Sequence, residues 1–187
     1  ISQNISPGEL NLLSHFTIPN VQLPGALQRL DHDRPTLLCV SHAASKTGAP
    51  LIILKMAEQF KAQYNVNIFN ILCQGGELVD RFESVGPTIC LYGSLGHLHP
   101  FDQELIQSVL KTVSPFAALV NSAESRHLLP ELSRLRIPIH SLVHENARCY
   151  QTDAFAPIAK HSDRVIFPCQ YVADAAEQNT DFQKQQE

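Results

Sequence analysis

From Pro35 onward the chain alternates between two textures. Short, nearly unbroken apolar runs are separated by polar turns, and then by stretches whose apolar residues recur at helical spacing. Residues 36–41 (Thr-Leu-Leu-Cys-Val-Ser) read as a strand buried on both faces. A polar loop, 42–49, follows. Pro50 is expected to open the next helix, where its missing N–H costs nothing. Leu51, Leu54, Ala57, Glu58 and Lys61 keep a helical period to about Tyr64. The unit then repeats. Strands are expected at 66–72, 88–91, 117–120, 140–143 and 164–167, and helices at 77–84, 103–113, 125–135 and 172–178. Asp102 is the expected cap of the third helix. Pro130 should bend the fourth helix or mark a restart.

Six short strands alternating with helices predict an α/β fold: a mostly parallel, Rossmann-like sheet, doubly wound by right-handed crossovers. Ligands of such sheets sit outside the carboxyl ends of the strands. The candidate functional edge is therefore made by loops 42–49, 73–76, 92–101, 121–125, 144–150 and 168–171. Residues 1–34 carry Pro7, Pro19 and Pro24 and one helix-like stretch near 9–16, and read as an irregular arm before a domain at 35–187.

Composition narrows the function classes. The 187 residues are 44% hydrophobic and 17% charged, which excludes a disordered chain. A net charge of -4 argues against a nucleic-acid partner. Apolar runs reach only about five residues, too short to span a bilayer. The five cysteines include no Cys-x-x-Cys pair, and Cys39 and Cys90 sit in strand-like runs as small hydrophobes. The expectation is a reducing, cytoplasmic setting. The first residue is Ile1 and the last residues are polar, so the chain is expected to be a piece of something longer.

The first loop places Ser45, Lys46, Thr47 and Gly48 just before a helix, where free N–H groups favour an anion. It matches neither the Gly-x-x-x-x-Gly-Lys-Ser/Thr nor the Gly-x-Gly-x-x-Gly pattern, and on its own could be no more than a turn. His144 and Glu145 end the fifth strand. The histidine can bond a sugar hydroxyl or stabilise charge, or could instead cap local backbone; the carboxylate could steer it or face solvent. His140 and His144 lie about 13 Å apart along a strand and cannot share an ion. His97 and His99 lack flanking ligands, so no metal site is expected. No Gly-x-Ser-x-Gly elbow is present.

Several segments together resemble a known family. They are Ser41-His42-x6-Gly48-Ala49-Pro50, Gly75-Gly76-Glu77-Leu78, Val120-Asn121-Ser122 with Ile137-Pro138, Leu142-Val143-His144-Glu145, and Val165-Ile166-Phe167-Pro168 before Tyr171-Val172. In order and placement they resemble the amino-terminal half of GT-B glycosyltransferases of the group 1, family 4-like type. Thr47 stands where many members carry a second glycine, and Cys169 where many carry serine.

The resemblance implies transfer of a sugar, with retention and without a metal ion or other cofactor, from a nucleotide-sugar donor to a glycan, lipid or other acceptor. It makes this the acceptor-side domain, with the donor-binding domain beyond residue 187, and leaves room for peripheral membrane association of the whole protein. It implies catalytic roles for His144 and Glu145, and ligand binding by Lys46, Thr47, Gly48, Ala49, Asn121 and Ser122. The competing class is a Rossmann-like binding or interaction domain without chemistry. A dinucleotide-dependent oxidoreductase is disfavoured by the missing glycine fingerprint and by Cys73-Gln74 where an acidic residue is expected.

Overall fold

The structure, a computed structural model, describes residues 27–91, 98–150 and 152–178. The predicted helix-like stretch at 9–16 and residues 92–97 of the loop at 92–101 lie outside these residues. Six strands form one sheet: β1 (Thr36–Ser41), β2 (Asn67–Leu72), β3 (Thr88–Cys90), β4 (Ala117–Asn121), β5 (Ile139–Leu142) and β6 (Arg164–Ile166). Their order is β3-β2-β1-β4-β5-β6, and every neighbouring pair is parallel. This is the expected doubly wound, Rossmann-like α/β sheet. The chain moves outward from β1 through β2 to β3, returns beside β1 as β4, and continues to the other edge. Strand order therefore reverses between β1 and β4.

Each face is covered by helices. α1 (Gly48–Gln63) and α2 (Val79–Val85) lie on the face that presents Leu37, Cys39, Ile68, Leu72, Leu119 and Leu142. α3 (Pro100–Val113), α4 (Leu129–Arg134), α5 (Ala156–His161) and α6 (Gln170–Glu177) cover the opposite face, with Leu38, Val40, Phe69, Ile71, Ile89 and Val120. β1 is buried at all six positions, as a central parallel strand must be. Each fully buried Leu, Ile or Phe stabilises this core by about 1.5–3 kcal/mol. Cys39 is one of those small apolar fillers; burial pushes its thiol up to about 12.

Three expectations change. α1 starts at Gly48, so Pro50 is its third residue; the first-turn position still needs no N–H partner. α3 starts at Pro100, with His99 as its cap through an Nδ1 that accepts from the Phe101 N–H at 3.2 Å. Asp102 is thus buried inside the first turn instead of capping it, because Pro100 has a backbone angle suited to starting the helix three residues earlier than expected. α5 and two short 3-10 turns, Ala147–Cys149 and Thr152–Phe155, were not expected at all. The restart at Pro130 is present: a 3-10 turn, Ala123–Leu128, gives way to α4, whose first turn contains the proline.

The loops after β1 and β2 are stitched together, which fixes the functional edge. Ala44 donates its N–H to Gly75 O at 3.3 Å, and Leu78 donates to Ala44 O at 2.8 Å. Gly76 makes this approach possible. Its φ of +153 suits glycine, and a Cβ there would lie 2.4 Å from Ala44 O.

Candidate functional site

The reversal between β1 and β4 puts the loops after β1, β4 and β5 side by side at the carboxyl edge. The β1 loop is shaped first by Ser41, whose hydroxyl donates to Ala43 O at 2.8 Å. Ser45 and Thr47 share a hydroxyl hydrogen bond of 2.9 Å. Thr47 is the cap residue of α1, yet its side chain makes no capping bond. The N–H groups of Gly48 and Ala49 open the helix with no intrahelical acceptor, and Pro50 has no N–H to offer. Space beside Gly48 is open: a Cβ built there meets nothing within 4 Å. Lys46 and Thr47 are exposed beside it. This geometry suits an anion or a sugar oxygen.

Asn121, the last residue of β4, joins that helix start to the β5 loop. Its Nδ2 donates to Ala49 O at 2.9 Å, and its Oδ1 lies 2.8 Å from His144 Nε2. These two contacts fix the chemistry. A backbone carbonyl can only accept, so the amide nitrogen faces Ala49 and the amide oxygen faces the imidazole. His144 must therefore carry its proton on Nε2. Its Nδ1 has no hydrogen-bond partner among the described residues.

Glu145 does not steer the His144 ring. Its carboxylate accepts from the Ser122 hydroxyl, from the Ala123 N–H at 3.0 Å and from the His144 N–H at 3.1 Å. It thus caps the 3-10 turn Ala123–Leu128 and fastens the β5 loop to the β4 loop. Asn121 is the residue that orients the histidine. Ser122 holds the junction in a conformation few non-glycine residues adopt, φ 76 and ψ 142, which costs about 1–3 kcal/mol. Its bonds offset that cost: the hydroxyl to Glu145, the Glu124 N–H to that hydroxyl at 3.2 Å, and its own N–H to Leu142 O at 2.8 Å. Strain of this kind concentrates at working sites.

Behind this junction, Tyr150 donates its hydroxyl to Glu124 Oε1 at 2.7 Å. Burial, then the bond to Glu124, raises the phenol above its ordinary range. Arg126 bonds Ala123 O and Glu124, and lies 6.0 Å from the centre of the Tyr150 ring. His42, the first residue after β1, lies in the field of Glu145, Glu124 and His144. Burial holds it below its ordinary pKa; His144 adds to the lowering, while the two carboxylates oppose it. Its Nδ1 is shielded from solvent and has no hydrogen-bond partner among the described residues.

Of the residues singled out in the sequence, Ala49, Asn121 and His144 meet in one hydrogen-bonded chain, and Ser122 and Glu145 in a second beside it. Gly48, Thr47 and Lys46 line the adjoining helix start. His42, Glu124 and Tyr150 were missed as site residues. His42 had a signal, since it directly follows the first strand; Glu124 and Tyr150 had none, because their contact spans 26 positions. Among the described residues no group of three His, Cys, Asp or Glu could hold a metal ion. No helix among them is long and apolar enough to cross a membrane. Two shallow depressions, of about 350 and 460 Å³, lie at the other end of the sheet around Ser162 and Asp163, away from this cluster.

No family model matches the chain, and no curated protein matches it. Among solved structures it is similar to Phytolacca americana UGT2 complexed with UDP-2fluoro-glucose and pterostilbene. The TM-score is 0.44 at 13% identity, over 62% of this chain and 32% of that one. The chain thus spans about a third of that structure's length. The Rossmann-like assignment stands on this chain's own strand order.

Proposed function

We propose that this chain is the acceptor-side domain of a GT-B glycosyltransferase, which moves a sugar from a nucleotide-sugar donor to a glycan, lipid or other acceptor. The observation that carries the reading is the Ala49–Asn121–His144 chain at the strand reversal. It couples a helix start suited to phosphate or sugar oxygens to a histidine of fixed tautomer. The ordered resemblance of the β1, β4 and β5 loop segments supports the same class.

In this reading α1 offers the Gly48 and Ala49 N–H groups, with Lys46 nearby, to negative charge on the ligand. His144 keeps its proton on Nε2 and uses Nδ1 to accept from a hydroxyl or, once protonated, to donate to developing charge. Glu145 and Ser122 hold the loop instead of touching the reacting atoms. A second domain supplies most donor contacts and closes the cleft against water.

The test is sugar transfer from a panel of nucleotide sugars, using the longest natural protein that contains this chain and, separately, residues 1–187. The longer protein is expected to transfer sugar, and residues 1–187 alone are not. Absence of transfer from every donor by the longer protein contradicts the reading, as does turnover by residues 1–187 alone.

A further inference from the structure

We propose that the sheet face beside α1 docks one amphipathic α-helix of a partner protein, apolar on the side it buries and acidic along its rim. A parallel sheet carries helices on both faces. Here one face is filled by α3, α4, α5 and α6. The other holds only α1, over β1, β2 and β4, and α2, over β2. Cover on that second face ends at Leu142, which is buried in the α1 cluster. The register sets His140 and Leu142 of β5 beside Arg164 and Ile166 of β6, on the same face. His140 is half-buried, Arg164 is exposed, and Ile166 is 47% exposed.

The open half has the dimensions of one helix. α2 meets α1 through Glu58 and Lys61. Ile52, Met56 and Phe60, four residues apart, form a row on the opposite flank of α1, which faces β4 to β6. Ile52 is 43% exposed, and Met56 and Phe60 are half-buried. Two strand spacings of about 4.8 Å carry the open floor roughly 10 Å beyond β4, and packed helices sit about 8–10 Å apart. A helix laid alongside α1 therefore covers β5 and β6 and touches both the row and Ile166. Single exposed apolar residues are ordinary; a half-covered parallel sheet with an apolar wall is not.

Charge selects the kind of helix. Arg164 makes no ion pair or hydrogen bond among the described residues. β4, β5 and β6 contain no carboxylate. Glu58, the acid of α1, lies on the far flank and pairs with Lys55 and Arg81. Asp163, just before β6, spends Oδ2 on the Ile139 N–H at 2.7 Å. A glutamate-bearing rim thus matches Arg164 and His140. A second copy of this chain matches less well, since its α1 would bring Lys55 and no free carboxylate.

The test uses a fluorescein-labelled helical peptide about five turns long, with leucines on one side and glutamates elsewhere, and a twin with lysines for the glutamates. Each is titrated with the full chain and followed by anisotropy. Ile166→Asp, Arg164→Glu and Tyr171→Ala, the last an exposed site on a helix of the opposite face, are measured alike. Melting temperature and sedimentation equilibrium are recorded for every chain without peptide. The glutamate peptide is expected to bind about tenfold tighter than the lysine peptide. Ile166→Asp should weaken it about tenfold or more, Arg164→Glu should reverse the preference, and Tyr171→Ala should bind as the wild type does. Absence of binding, equal binding of the two peptides, or unaltered affinity in a folded Ile166→Asp chain overturns the inference. A dimer of the chain that Ile166→Asp dissociates overturns it too, because the occupant is then a second copy. Should Ile166→Asp fail to fold, unaltered affinity in a folded Ile52→Asp overturns it. None of these outcomes bears on sugar transfer.

Discussion

Asn70 and Asn121 have the same side chain, are both fully buried, and sit in adjacent parts of one sheet, yet their surroundings differ in kind. Asn70, in β2, donates to two backbone carbonyls and the Thr88 hydroxyl, all within the α2–β3 connection. Asn121, at the end of β4, connects the start of α1 to the ring of a histidine on another loop. The first arrangement spends its donated bonds on one local connection, with its Oδ1 left unpaired among the described residues, and accounts for a fold. The second ends on the imidazole of His144, in the loop after β5. Topology makes the difference: Asn70 lies inside the three-strand run β3-β2-β1, whereas Asn121 lies where strand order reverses. A buried polar residue is thus read by what its network terminates on.

The comparison can be tested from its structural side first. Gly86 belongs to the Asn70 region, and a Cβ there would lie 1.9 Å from Ile68 O. Gly86→Ala should lose about 3 kcal/mol or more, read as a lowered urea midpoint. An unchanged midpoint would show that the α2–β3 turn is looser than described.

The two asparagines themselves give the next effect. Asn70→Ala should cost about 2–3 kcal/mol of stability through the carbonyls left unpaired, with turnover per folded molecule unchanged. Asn121→Ala should reduce sugar transfer about a hundredfold, since His144 loses the partner that fixes its proton. Matched kinetics and melting curves on the longest natural protein containing the chain separate the two. Equal behaviour of both variants would erase the distinction.

Ser122→Gly should change stability by no more than about 1 kcal/mol, because relief of the unusual backbone offsets the lost hydroxyl bonds. A loss of several kcal/mol in chemical denaturation would mean that the hydroxyl network outweighs the strain.

The smallest effect concerns pH. Burial lowers the pKa of His42 in the folded state, so the unfolded chain binds the extra proton more readily. Its contribution to stability is full above its unfolded pKa of about 6.5 and declines as pH falls toward the lower folded value. His161 titrates with the same sign, its pKa lowered by burial and then by Lys160. His42→Gln should therefore flatten, without abolishing, the fall in melting temperature on acidification. An unaltered slope would place His42 in water.

The sheet was legible because buried parallel strands are written as continuous apolar runs. Residues 36–41 coincide with β1, and the expected strand at 66–72 differs from β2 only at Val66. α5 was not legible, since six residues with Pro157 in the first turn show no helical period. The start of α3 was misread because His99 caps with a ring nitrogen, outside the usual set of capping side chains. At the site, His144, Asn121 and Ala49 stood out by their place at strand ends. Their pairing did not, because Asn121 and His144 are 23 positions apart and meet only through the β4–β5 register. For the same reason the sequence offered only the neighbour Glu145 as a group that could steer His144, with facing solvent as its alternative, and not Asn121.

The central claim is that the network at the strand reversal ends on a working histidine. His144→Ala in the longest natural protein containing this chain tests it most directly, with turnover and melting temperature measured on the same preparation. The account predicts a rate lower by about 10²–10⁴-fold, with the melting temperature shifted by no more than a few degrees. An unchanged rate in a fully folded His144→Ala protein would contradict it.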